Sequence, residues 1–159
     1  MTDLAYWQKK AKEASFHTRA FIGGRYTDAV SGATFTAINP ATAKPLADIA
    51  SCDEADIDLA VASARKAFEQ GDWRNMHPAK RGRILMQLAD LIIKNQEELA
   101  LLETLNMGKP ISDAMAIDIP ASARSIHWYG EAADKLMDEI APTDPGALAM
   151  VTREPLGVI

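Results

Sequence analysis

Between Pro78 and Gly108 the chain reads PAKRGRILMQLADLIIKNQEELALLETLNMG, and this stretch constrains the fold more than any other. Ile84, Leu85, Leu88, Leu91, Ile92, Leu99, Leu102 and Leu105 recur at helical spacing, so one long side of the predicted helix is apolar. Pro78 suits a first helical position, where an N–H would have no partner, and Gly108 with Pro110 beyond it ends the helix. Two more helices follow from the same reasoning. Asp53 with Asp56 predicts a capping box that opens a helix along Ile57, Ala60, Ala64 and Phe68 as far as Gly71. The third spans about 112–137, with a bend predicted where Pro120 removes an N–H. Three apolar stripes need a surface to lie against.

Structure that could supply that surface is scarce. Leu4, Trp7, Ala11 and Ala14 predict a short amphipathic helix at the start, with its lysines on the wet side. RAFIGGRYTDA predicts a hairpin about Gly23-Gly24, because both glycines accept positive φ. TFTAINPATAKPLADIA predicts a strand, a turn at Asn39-Pro40 and a second strand ending near Ala50. Asp144-Pro145-Gly146 places Pro and Gly where a type II turn needs them, so EIAPTDPGALAMVTREP reads as another hairpin. Leu156, Val158 and Ile159 then open what reads as a buried strand. By pattern alone the chain is α/β or α+β, with strands clustered at both ends and three helices between. These strands are too few and too short to cover the helices. The expectation is that the covering β-structure is encoded past Ile159.

Composition narrows the class of partner. The net charge of −5 and a pI near 5.2 disfavour nucleic acid and anionic membrane, since both reward a basic surface. One cysteine, Cys52, precludes an internal disulfide and suits a reducing compartment. The N-terminus lacks the apolar core of a signal peptide, and no segment has the ~18 uninterrupted apolar residues of a membrane span. These features predict a cytoplasmic protein of one domain, or one domain with a small appendage.

No arrangement of residues points to catalysis within these 159 positions. Cys52 has no His or Lys close by in sequence to lower its pKa, and reads as a buried structural thiol. His17, His77 and His127 show no metal-ligand spacing. NMGKP resembles the end of a phosphate loop, but Glu103 stands where that loop needs Gly, and Pro110 where it needs Ser or Thr. PAKRGR reads as a solvated first turn with Arg81 paired to a carboxylate, rather than as an anion site. Trp7, Trp73, Trp128 and Tyr129 could form a ligand cage, although large aromatics more often fill cores and interfaces.

In order along the chain, FIGGRYTDAVSGATFTAINPATAKPLADIA, DEADIDLAVASARKAF, PAKRGRILMQLADLI, LALLETLNMGKP and REPLGVI resemble the N-terminal region of the NAD(P)-dependent aldehyde dehydrogenase superfamily. The resemblance covers the chain from Leu4. LAYWQKKA and AIDIPASARSIHWYGEAADK are most similar to the branch that oxidises γ-glutamyl-γ-aminobutyraldehyde in putrescine breakdown. The resemblance implies an α/β fold: the β-hairpins and three helices of the cofactor domain, with an oligomerisation hairpin. It implies that residues 1–138 belong to the dinucleotide-binding domain, 139–153 to that hairpin, and 154–159 to the start of a cofactor-domain strand. Members of the family are roughly three times this length. The thiol nucleophile, the general base, the oxyanion donors and the NAD or NADP site all lie past the position matching Ile159.

The resemblance therefore implies no catalytic or cofactor-binding residue here, and no cofactor binding or activity by this chain alone. It implies a homo-oligomer built through residues 139–153, and an aldehyde as the complete enzyme's substrate. Ile117 and Ala121 match positions lining the substrate entrance, with Asp118 and Trp128 near that face. Many members hold a monovalent cation near the position of Ile38, with a carboxylate where this chain has Asn106. The lost negative charge weakens any such site. A non-catalytic fragment docking on an intact aldehyde dehydrogenase is the alternative reading.

Overall fold

A computed structural model describes residues 3–159. It begins with helix α1 (Leu4–Glu13), followed by hairpin β1 (Ala20–Ile22) and β2 (Arg25–Thr27), and hairpin β3 (Thr34–Asn39) and β4 (Lys44–Ala50). Gly23 and Gly24 make the first turn with φ of 61° and 80°, the left-handed pair that a two-residue hairpin loop requires. Helix α2 (Glu54–Gln70) opens on the expected capping box: Asp53 accepts from the Ala55 N–H, and Asp56 from the Asp53 N–H at 3.1 Å. Asp56 also accepts from the Val30 N–H at 2.9 Å and is only 2% exposed, so this carboxylate ties α2 to the loop before β3.

A helical turn, α3 (Asp72–Asn75), leads to α4 (Pro78–Lys94) and α5 (Gln96–Met107). The single long helix expected over 78–108 is thus two. Asn95 breaks it, because its side-chain amide donates to the Leu91 carbonyl at 2.7 Å and competes with the backbone for that acceptor. The third expected helix is also divided. It comprises α6 (Ile111–Asp113), a π-helical turn over Ala114–Asp118, and α7 (Ile119–Ala132), and it stops short of 137. Lys135 donates to the Glu131 carbonyl at 2.6 Å, capping the shortened end.

Strands β5 (Glu139–Ala141) and β6 (Ala149–Val151) form the last hairpin, in the register Glu139↔Val151, Ile140↔Met150, Ala141↔Ala149. Its turn is as expected, with Gly146 at φ 97° and the Ala147 N–H donating to Asp144 O at 3.2 Å. Residues 152–159 form no strand within the chain, and Leu156 and Ile159 stand in the open. Among the described residues every sheet is two-stranded.

Packing centres on α4 and α7, which cross where Gly82 meets Gly130. A β-carbon on Gly82 would lie 2.4 Å from the Gly130 carbonyl oxygen, so the approach is closer than any side chain permits. The buried apolar residues are small: Ala29, Ala89, Ala100, Ala114 and Ala123, with Leu101. The large ones face outward, including Ile57, Leu59 and Val61 on α2 and Leu88, Leu91 and Ile93 on α4. Total accessible surface is 11,958 Å². A compact monomer of 17.3 kDa would show about 7,800 Å².

Candidate substrate-entrance face

Alpha-helix α5 ends on Gly108 at φ 76°, and a β-carbon there would come within 2.9 Å of Pro40 Cγ. This seats the β3–β4 turn against the end of α5, placing Ile38 and Asn106 on neighbouring elements. Both residues are exposed. The chain then reverses through Lys109-Pro110 into the π-helical turn.

The turn has a clear chemical origin. In an α-helix the Ile119 N–H would donate to Met115 O; here it donates to Ala114 O, five residues back. Pro120 has no N–H, and its ring would press on the carbonyl four residues earlier, which is Ala116. One widened turn relieves that clash, just before the position where the sequence predicted a bend. It leaves the Met115 carbonyl without a backbone donor, and the side-chain amide of Gln96, at the start of α5, donates to it instead. Ala114, fully buried, packs the turn inward. Lys109 Nζ sits 2.6 Å from Asp118 Oδ2. The contact is a close, charge-assisted ion pair. The Asp118 carboxylate holds the Lys109 ammonium above the ordinary lysine pKa.

Ile117 protrudes from this turn at 58% exposure. Ala121 and Trp128 are seven residues apart, hence on one side of α7. Trp128 is exposed and meets Tyr129 edge-on, with ring centroids 5.0 Å apart. Ile117 and Trp128 thus point outward from one stretch of helix, Ala121 between them is half-buried, and Asp118 is drawn back into its ion pair. Gln96 did not stand out in the sequence, and Lys109 did so only within NMGKP. Pro120, inside a helical pattern, was the signal for the widened turn.

Other expected groups stand apart. Cys52 is exposed rather than buried, and its thiol is pushed up by partial desolvation and then by the carboxylates of Asp56 and Asp53. A raised thiol is a poor nucleophile at neutral pH. His17 stacks on Tyr26 with centroids 4.6 Å apart, His77 caps α4 by accepting from the Ala79 N–H, and His127 lies 3.7 Å from Glu131. Arg81 donates to the Met76 carbonyl at 2.5 Å rather than pairing with a carboxylate, because the turn before α4 places that oxygen in its reach. Trp7 packs edge-on to Tyr6. On the β5–β6 hairpin, the cross-strand pair Ile140 and Met150 is exposed, and Arg153 clasps Glu139 at 2.8 Å.

The aldehyde dehydrogenase family model matches residues 26–159. The NADP/NAD-dependent aldehyde dehydrogenase PuuC of Escherichia coli is 51% identical over 156 residues, covering 98% of this chain and 32% of that protein. An indole-3-acetaldehyde dehydrogenase of P. syringae, solved with NAD+ and IAA, superposes with a TM-score of 0.96 at 51% identity. That match covers 99% of this chain and 32% of the other. The γ-glutamyl-γ-aminobutyraldehyde dehydrogenase of Burkholderia cenocepacia gives 0.87 at 43% identity, over 90% of this chain and 29% of its own. The chain spans about a third of the length of the relatives it matches. Sequence and fold agree over nearly all of the chain, and the chain belongs to the aldehyde dehydrogenase family.

Proposed function

We propose that this chain is the N-terminal part of an enzyme that oxidises an aldehyde to a carboxylic acid with NAD or NADP. The single observation that carries the proposal is the match across 98% of this chain to about a third of a dinucleotide-dependent aldehyde dehydrogenase. Residues 1–138 contribute to the cofactor domain, 139–153 form the hairpin that pairs with a second copy, and 154–159 begin a strand of the cofactor sheet. The open edges of β5–β6, with Ile140 and Met150 facing out, suit such pairing. NAD(P), when bound by the complete enzyme, accepts the hydride; the residues of this chain shape the approach. Ile117, Ala121 and Trp128 offer an apolar wall to an incoming aldehyde, with Asp118 behind it. Any monovalent cation near Ile38 and Asn106 is weakly held, because Asn106 brings no charge.

γ-Glutamyl-γ-aminobutyraldehyde is the first substrate to test, given the Burkholderia relative, and the cytoplasm is the proposed setting. No helix among the described residues is long and apolar enough to cross a membrane. The test joins residues 1–159 to the remaining two thirds of the Escherichia coli relative. That fusion should reduce NAD or NADP on addition of the aldehyde, followed by absorbance, whereas residues 1–159 alone should not. An inactive, folded fusion would count against the proposal. So would turnover by residues 1–159 alone.

A further inference from the structure

The π-helical turn depends on side chains outside it. Shifting the Ile119 N–H to Ala114 O removes the donor from Met115 O, and Pro120 cannot replace it. A carbonyl left unpaired in a partly buried place is costly, so the widened turn persists only where another donor reaches it. Gln96 is that donor, nineteen residues away in sequence and on a different helix. Lys109 adds a second tie, across the reversal between α5 and α6, to the last residue of the turn. Widening one turn inserts a residue into the helical register and rotates everything downstream by about 100° relative to an uninterrupted α-helix. The turn therefore fixes where Ile117 stands relative to Ala121 and Trp128.

We infer that Gln96 and Lys109 are positioning residues: their contacts with Met115 O and Asp118 hold the widened turn, and so set the shape of the aldehyde entrance. The part concerning the entrance rests on the proposed function; the part concerning the turn does not. Neither residue touches the substrate. They act by deciding which side chains α7 presents.

The test uses the fusion described above with Gln96→Glu, which keeps the shape but removes the donor, and with Lys109→Met and Lys109→Arg. Hydrogen exchange of the peptide 111–120 should quicken about tenfold or more in Gln96→Glu and Lys109→Met. Peptide 78–94 should be unchanged, and Lys109→Arg should largely restore protection. The ratio of KM for a bulky aldehyde to KM for acetaldehyde should shift about fivefold, with kcat moved less than KM. Unchanged exchange at 111–120 overturns the assignment. Loss of protection at 78–94 as well would make these residues general stabilisers and equally overturn it. Faster exchange with an unaltered KM ratio in an active enzyme removes the role at the entrance. A fusion that is inactive before any substitution defeats the proposed function, while the exchange result still decides the turn.

Discussion

The helix pair at the centre of this chain touches through backbone. Gly130 returns the approach made by Gly82: a β-carbon there would lie 2.9 Å from the Gly82 carbonyl and 3.0 Å from Met86 Cγ. Adding one methyl group at Gly82 must push α4 and α7 apart, because a carbonyl oxygen on a helix cannot swing aside as a flexible side chain can. Gly82→Ala in the fusion should cost about 1–3 kcal/mol, read as a lowered thermal midpoint. Ser122→Ala, on an exposed position of α7, should leave it unchanged. Equal midpoints would mean that the crossing is looser than described. Much at this scale was legible beforehand. Asp53 and Asp56 announced the capping box, Gly23-Gly24 the hairpin, and Pro145-Gly146 the turn, because each acts through its own neighbours. What stayed hidden depends on distant partners: the Gly82–Gly130 contact, the second role of Asp56 toward Val30, and the reach of Gln96 to Met115. No local pattern encodes those.

Among the elements, α1 shows how few contacts hold a peripheral helix. Its largest residues are at best half-buried, and Tyr6 anchors it by donating to Glu97 Oε2 on α5 at 2.6 Å. Lys10 approaches the same carboxylate at 3.9 Å. The hydrogen bond to Glu97, then partial desolvation and the Glu97 charge, raise the Tyr6 pKa. A group whose folded pKa is raised contributes stability that is complete below its unfolded pKa of about 10, and that is lost as pH rises through the folded value. The ring signal that disappears from NMR spectra of tyrosine-labelled fusion in Tyr6→Phe should therefore titrate above the ordinary tyrosine value. A midpoint at or below that value would contradict the docking of α1 on α5. The helix boundaries teach the same lesson as the residues. Apolar periodicity located the long helices but not the short α3, and it ran straight through Asn95 and past 132, because periodicity registers faces and not the side-chain amide or lysine that terminates them. The candidate entrance was legible only as matched positions; the turn that shapes it was not.

The molecule as a whole shows more surface than its mass accounts for. The 11,958 Å² it exposes exceeds the compact expectation by roughly 4,000 Å², and the chain buries about half of its unfolded surface where about 68–70% is usual at this size. Covering an excess of that size would bury roughly 8,000 Å² counting both sides, more than the roughly 2,000–5,000 Å² of most obligate interfaces. Much of it is apolar: Ile57, Leu59 and Val61 on one helix and Leu88, Leu91 and Ile93 on another are each exposed. Fully wetting such side chains forgoes roughly 1.5–3 kcal/mol apiece, against a typical stability of about 5–15 kcal/mol for a domain. The scarcity of strands was legible in the sequence, because counting apolar stripes against available strands needs no three-dimensional detail. Burial of these side chains calls for structure outside residues 1–159. Thermal unfolding of residues 1–159, monitored together with binding of an apolar-surface dye, tests it most directly, first alone and then with the remaining two thirds of the Escherichia coli relative supplied as a separate chain. Strong dye binding and no cooperative transition are expected alone, with loss of dye signal and a sharp transition once the second chain is present. A cooperative melt of the lone monomer with negligible dye binding would contradict it.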